Sequence, residues 1–271
     1  DADRRLKRVF EGGAIGKSAL DAPLFATLRR WCALEMKTRE RTGFMPEKEK
    51  EGVVTLSDII KNERVHTYIQ KGNEVLGAIG FTEHGFAHAK RSSNYAANIL
   101  RSLRYDERTC ELAAIAGYLH DIGNVVNRVD HAQTGALMAF SILTELKMPP
   151  GEVCDIIAAI GNHDEGTAAA VNPIAAALIL SDKSDVRRTR VRDKERVNVD
   201  IHDRVNYAVE RAALEIDPLN KLAVLSLSID NDICPVMEYF EIFLERMVLC
   251  RTAAQYLELS FELVINGVRL L

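Results

Sequence analysis

The sequence predicts a mainly α-helical protein with a small C-terminal β-α-β-β unit. Three observations carry that expectation. From Thr55 to about Glu215 the apolar residues recur at three- and four-residue spacing. Glycine and proline punctuate this stretch at intervals suited to helices of a few turns. After Pro218 the period drops to two, with Leu225, Leu227 and Ile229 alternating with serines, which reads as a strand.

The chain has 271 residues, of which 47% are hydrophobic, so it can bury a substantial core. We divide it into an N-terminal helical segment and charged linker (1–50), a helical domain (51–215) and the small α/β unit (216–271). In the first segment, Leu24, Leu28, Trp31 and Leu34 fit one amphipathic helix opened at Pro23. Lys37 to Lys50 is charged and broken by Gly43 and Pro46, as in a linker. Gly12-Gly13-Ala14-Ile15-Gly16-Lys17-Ser18 imitates a phosphate-binding loop, but Glu11 stands where the leading glycine belongs and no apolar strand precedes it, so a plain turn is expected.

The helical domain reads in order. Ser57 looks like the N-cap of a helix through Ile59 and Ile60. A long helix follows Gly85 through Ala89, Ala96, Ile99 and Leu100. The next runs from Asp106 to about His120, with Gly123 at its end. Ala136 to Leu143 form another, stopped before Pro149-Pro150. Val153, Ile156, Ile157 and Ile160 form one that stops at Gly161. Pro173 opens a last one that carries to Asp182. In the C-terminal unit a long amphipathic helix spans Pro235 to Leu257. Phe261, Leu263 and Ile265 alternate, and Asn266-Gly267 marks a hairpin into 268–271. So small a sheet is marginal alone, which points to packing on the core or to a homodimer.

Composition narrows the function classes. A net charge of −4, with no strip of basic and aromatic residues, argues against a nucleic-acid partner. No apolar run approaches the roughly 20 residues that span a bilayer, so no membrane segment is expected. The five cysteines are scattered and form no C-x-x-C pair, which fits free thiols in the cytoplasm better than disulfides or structural zinc.

Six residues of metal-ligating type fall at helix ends: His88, His120, Asp121, His131, His163 and Asp182. Imidazole and carboxylate suit Mn, Fe, Co, Zn or Mg better than soft metals. Asp182 follows the apolar run Ala-Ala-Ala-Leu-Ile-Leu-Ser, where an unpaired charge is costly and a cation is a natural partner. Lys183, Arg187 and Arg188 follow within two helical turns and are candidates for holding phosphate, with Arg91 a weaker one. Arg190, Arg192, Lys194 and Arg196 continue the run and read as a solvated basic face.

The order His88, then Leu119-His120-Asp121-Ile122-Gly123, then Asp182 resembles the H…HD…D signature of HD-superfamily phosphohydrolases over roughly residues 80–195. The Asp130-His131-Ala-Gln-Thr-Gly135-Ala136 and Ile160-Gly-Asn-His163 segments are similar to those of its binuclear members. These include cyclic-di-GMP phosphodiesterases of the HD-GYP type and hydrolases that split diadenosine tetraphosphate symmetrically. The chain departs from HD-GYP proteins at Asn124, where they carry lysine, at Asn162, and in lacking the GYP triplet, so cyclic-di-GMP is not the first choice. The resemblance implies two divalent ions, Mn or Fe favoured, bridged by Asp121; Lys183, from its place beside Asp182, is expected to assist. The resemblance also implies water-driven cleavage of a phosphoester or phosphoanhydride in a nucleotide or other small phosphorylated molecule. A regulatory module that keeps its metal but turns over little is the alternative.

Overall fold

The computed structural model describes residues 53–270 apart from 194, 196, 198 and 199. The helix and turn expected in the first 35 residues, the linker over 37–50, and Lys194 and Arg196 of the basic run lie outside the described residues. The described residues belong to one compact unit, Glu51–Leu271. Among them, no helix is long and apolar enough to cross a membrane.

The helical part opens with α1 (Leu56–Lys61) and α2 (Glu63–Ala78). Thr55, not Ser57, caps α1: its side chain accepts from the Asp58 backbone and Asp58 returns a bond to the Thr55 N–H at 2.9 Å. Only Thr55 has an acid three residues downstream to close that box. The expected helices then appear as α3 (Phe86–Ser102), α4 (Glu107–Leu119), α5 (His131–Glu145), α6 (Pro150–Gly161) and α7 (Pro173–Lys183). Asp106 and Asn172 cap α4 and α7 through their side chains.

Helices α4 and α7 are buried on nearly every face, so they form the axis of the core. Around them α3 packs on both, and α6 packs on both and on α5. Gly117 lets α3 and α4 touch: a Cβ there would sit 2.8 Å from the Ser92 backbone. A short 3-10 turn (Ile122–Val125) follows α4, and Gly123 within it lies against α5. A Cβ on Gly123 would stand 2.1 Å from the His131 carbonyl and 2.6 Å from the Gly135 nitrogen. That contact presses the His120-Asp121 turn onto the start of α5.

A second 3-10 turn (Arg188–Arg190) and α8 (Ile201–Ala208) lead into the sheet. Its strands are β1 (Val209–Asp217), β2 (Leu222–Ile229), β3 (Ser260–Ile265) and β4 (Val268–Arg269), in spatial order β1-β2-β3-β4. β1 and β2 are antiparallel, and β2 and β3 are parallel across the connecting helix α9 (Val236–Tyr256). β3 and β4 form the expected hairpin, with positive φ at Asn266 and Gly267. The sheet therefore has one strand more than the sequence predicts. β1 reads Val-Glu-Arg-Ala-Ala-Leu-Glu-Ile-Asp, a helix-prone composition without strict alternation. Pairing with β2 overrides that preference. The apolar face of α9 is divided: Tyr239, Phe243 and Met247 are buried, while Met237, Leu244 and Val248 are exposed.

Two glycine substitutions should separate packing from propensity. We expect Gly123→Ala to lower unfolding free energy by about 2–3 kcal/mol, because the backbone of α5 must move to admit a methyl group. Gly151→Ala on α6 meets no atom within 4 Å and should be neutral or slightly stabilising. Urea unfolding of the two variants checks this, and equal stability would refute the close-contact account.

Candidate metal centre

Four imidazoles and two carboxylates from five helix ends converge around one small chamber. His88 comes from the first turn of α3, and His120 and Asp121 from the turn that ends α4. His131 opens α5, His163 follows α6, and Asp182 lies in the last turn of α7. All four histidines are buried. Their ligand-type atoms form three overlapping sets, each within 4.8 Å: His88-His120-Asp121, His120-His163-Asp182 and Asp121-His131-His163.

The outer nitrogen of each imidazole is already committed. Nδ1 of His120, His131 and His163 faces the carbonyls of Gly117 (2.9 Å), Arg128 (3.0 Å) and Ile160 (2.6 Å). His88 Nδ1 faces the Asp185 carboxylate at 2.8 Å. These oxygens only accept, so each Nδ1 carries a hydrogen, and Nε2 is the ring nitrogen left to offer a lone pair. The Nε2 atoms then meet each other, His88 and His120 at 3.1 Å and His131 and His163 at 3.2 Å. Facing lone pairs repel unless a cation lies between them. Two donors about 2.1 Å from one ion and at right angles are separated by about 3 Å, which matches.

Asp121 links the two halves. Its Oδ2 faces His88 (3.5 Å) and His120 (3.4 Å), while Oδ1 faces His131 at 3.4 Å. Oδ1 also accepts from Asn124 Nδ2 at 2.8 Å, but Oδ2 is buried without a hydrogen-bond partner. An orphaned buried carboxylate oxygen among imidazole lone pairs fits a divalent cation. Asp182 Oδ1 completes the first half, 3.2 Å from His88 Nε2.

The electrostatics agree. Burial pushes the Asp121 and Asp182 carboxyls up, but His120 beside the first and Lys183 beside the second hold both well below the usual range. Burial lowers His84, His131 and His163, so these imidazoles stay neutral. Burial also disfavours charge on His120, yet Asp121 and Asp182 raise it to about 10. With no metal ion to balance them, the two carboxylates would thus draw a proton to the position a cation suits.

The remaining expected residues stand elsewhere. Lys183 is buried at the chamber wall, paired with Asp182 Oδ2 at 2.8 Å and Glu165 Oε2 at 3.0 Å. Arg91 and Arg187 turn instead to Asp185, at 3.0 and 2.5 Å. Arg188 donates to the Tyr207 carbonyl and stacks on that ring. None of these three arginines lines the chamber. Arg190, expected on a solvated face, is buried there instead.

Sequence reasoning also missed His84, Arg128 and Arg246 at the chamber wall, and Asp185 behind His88. Arg246 had a signal: it is a lone cation between Phe243, Met247 and Cys250 of an apolar helix face. Asp185 had a weaker one, lying three residues after Asp182.

Two comparisons bear on this site. Residues 85–208, which hold all six clustered residues, match the family model of the HD domain. The chain is also 27% identical over 157 residues to an uncharacterized protein of Methanocaldococcus jannaschii, a match covering 50% of this chain and 60% of that protein.

Glu165 offers a pH test. Burial raises its carboxyl, but Lys183 and Arg246 outweigh burial and hold it below its ordinary value. A depressed folded pKa gives stability that is present above the unfolded value and lost as pH falls through the folded one. Unfolding free energy should therefore drop as pH falls below about 4.5, and less steeply in Glu165→Gln. Parallel acid-stability curves for the two proteins would contradict this.

Proposed function

Residues 85–208 are an HD domain, a fold of metal-dependent phosphohydrolases, and on that premise we propose that this chain is a binuclear phosphohydrolase. Its substrate is a phosphoester or phosphoanhydride of a nucleotide or another small phosphorylated molecule. The observation that carries the reading is the Asp121 carboxylate, whose two oxygens face two different histidine groups.

In this reading His88, His120, Asp121 and Asp182 hold one divalent ion, and Asp121, His131 and His163 hold the second. Mn or Fe is favoured, with Mg, Co or Zn possible for this nitrogen and oxygen set. When bound, the ions supply a water of lowered pKa and positive charge for the phosphate oxygens. The protein does the positioning. The carbonyls of Gly117, Arg128 and Ile160 fix three imidazoles in the tautomer that presents Nε2. Lys183 holds Asp182 Oδ2, which leaves Oδ1 toward His88 and His120. Arg128, Arg190 and Arg246 at the chamber wall take over the phosphate-holding role expected of Arg91, Arg187 and Arg188. His84 donates from Nδ1 to the Thr82 carbonyl at 2.8 Å, so its Nε2 is a proton acceptor at the same wall.

Protein purified without chelator should contain two metal ions per chain by elemental analysis. It should hydrolyse members of a phosphoester and nucleotide panel with Mn or Fe. His120→Ala and Asp121→Ala should abolish turnover, and the paired substitution His131→Ala with His163→Ala should bring the metal content toward one. Near-unit stoichiometry in the wild type, unchanged by that pair, would remove the binuclear reading, and an inert metal-loaded protein would remove the enzyme.

The buried Asp185 carboxylate accepts from His88 and is itself gripped by Arg91 and Arg187. Asp185→Asn should weaken metal binding by about 10–100-fold, the usual cost of losing such a support. Calorimetric metal titration gives the value, and wild-type affinity in the variant would show that His88 needs no help.

A further inference from the structure

The chamber has an outlet, marked by residues that it shares with a second cavity. It holds only about 10 Å³ of free space, room for about one water-sized group, and its walls are ionisable side chains throughout. A larger cavity of about 330 Å³ shares His84, Arg128, Arg190 and Arg246 with it, so these four residues ring the junction. Beyond the ring the lining becomes mixed, with Asp200, His202, Asp203 and Asn206 beside Ile79 and two phenylalanines. Phe81 and Phe243 both face the outer cavity, and each lies under a ring arginine, Arg128 at 5.7 Å and Arg246 at 4.6 Å.

Of the three ring arginines, Arg246 is paired with Glu165 at 2.6 Å and Arg128 lies 3.7 Å from Asp164, while Arg190 has no close carboxylate of its own. Arg190 is only 4% exposed. Its guanidinium donates to two neutral carbonyls, those of Glu83 at 2.9 Å and Asp185 at 2.8 Å. Its carboxylate neighbour is Asp185 at 3.8 Å, which Arg91, Arg187 and His88 already engage more closely. A buried guanidinium without a close counter-ion is costly unless an anion completes it.

We propose that the substrate is a phosphomonoester dianion. Its phosphate stands in the ring of His84, Arg128, Arg190 and Arg246, and an aromatic-bearing organic group lies in the outer cavity against Phe81 and Phe243. This deepens the phosphohydrolase reading and rests on it. A monoester offers three unesterified oxygens to the chamber and ring, and directs one substituent through the outlet. A diester carries one charge less and a second substituent, for which the charged chamber has neither space nor apolar surface. In the reaction, water's oxygen bonds to phosphorus and the phosphorus–oxygen bond to the organic group breaks. One proton of the water ends on the departing alcohol, and inorganic phosphate remains.

The test compares para-nitrophenyl phosphate with bis-para-nitrophenyl phosphate on the Mn-loaded full chain. Binding of phenylphosphonate and of inorganic phosphate is measured beside it by calorimetry. We expect kcat/KM to favour the monoester by at least about a hundredfold, since a diester leaves buried donors unmet. Phenylphosphonate should bind more tightly than phosphate, and Phe81→Leu, which keeps an apolar support under Arg128, should reduce that advantage about fivefold, as for loss of ring stacking. Preference for the diester, or a phenyl advantage indifferent to Phe81, would overturn this inference while leaving the phosphohydrolase in place. If neither ester is cleaved, Phe81-dependent phenylphosphonate binding still supports the placement. If nothing is cleaved and neither anion binds, this inference and the underlying reading fall together.

Discussion

Four imidazoles and two carboxylates are crowded into a space from which bulk water is nearly shut out. Left alone, that collection repels itself, and the Oδ2 of Asp121 is buried there without a hydrogen-bond partner. Positive charge within the chamber relieves that repulsion. The surrounding fold exists in large part to keep the crowd together: Gly117 brings α3 onto α4, and Gly123 brings the turn after α4 onto α5. Through those two contacts, residues far apart in sequence are brought to one place.

A second ring of charge surrounds the first and is nearly as organised. Asp185 collects His88 and two close arginines, while Glu165 ties Lys183 of α7 to Arg246 of α9. These pairs lie where the dielectric is low, so each would be costly to leave half made. They also fix side-chain orientation. A histidine whose Nδ1 is held by a carboxylate cannot swing away from the position its Nε2 must serve.

Much of this was legible in the sequence because it follows from local order. The helices of the core announce themselves by apolar spacing, and the six clustered residues sit at the boundaries those helices define. Their chemistry and order were enough to group them without knowing how the helices cross. What escaped notice depends on tertiary contact. Arg128 lies in a loop with no pattern of its own, and Arg246 reaches the chamber from 64 residues beyond Asp182. Arg190 was hidden in a basic run that looked uniformly solvated, because burial of one arginine among several is decided by packing. β1 failed for the converse reason: its residues prefer helix, and only its neighbour β2 makes it a strand. The cap of α1 shows the same rule at short range, since the choice of Thr55 over Ser57 turned on a single reciprocal bond from Asp58.

The parallel crossover between β2 and β3 has a consequence beyond the sheet itself. It carries α9 back across the helical core, and with it Arg246 and Phe243, although the HD match ends at residue 208. The outer wall is therefore built jointly, by residues in and just before the matched stretch and by Phe243 and Arg246 of α9. Replacements along α9 can reshape what the wall admits while the six clustered residues and their supports stay as they are. Such a sharing of labour lets the wall change while the cluster stays, and it makes the C-terminal segment the natural place to look for divergence among proteins that keep the same cluster.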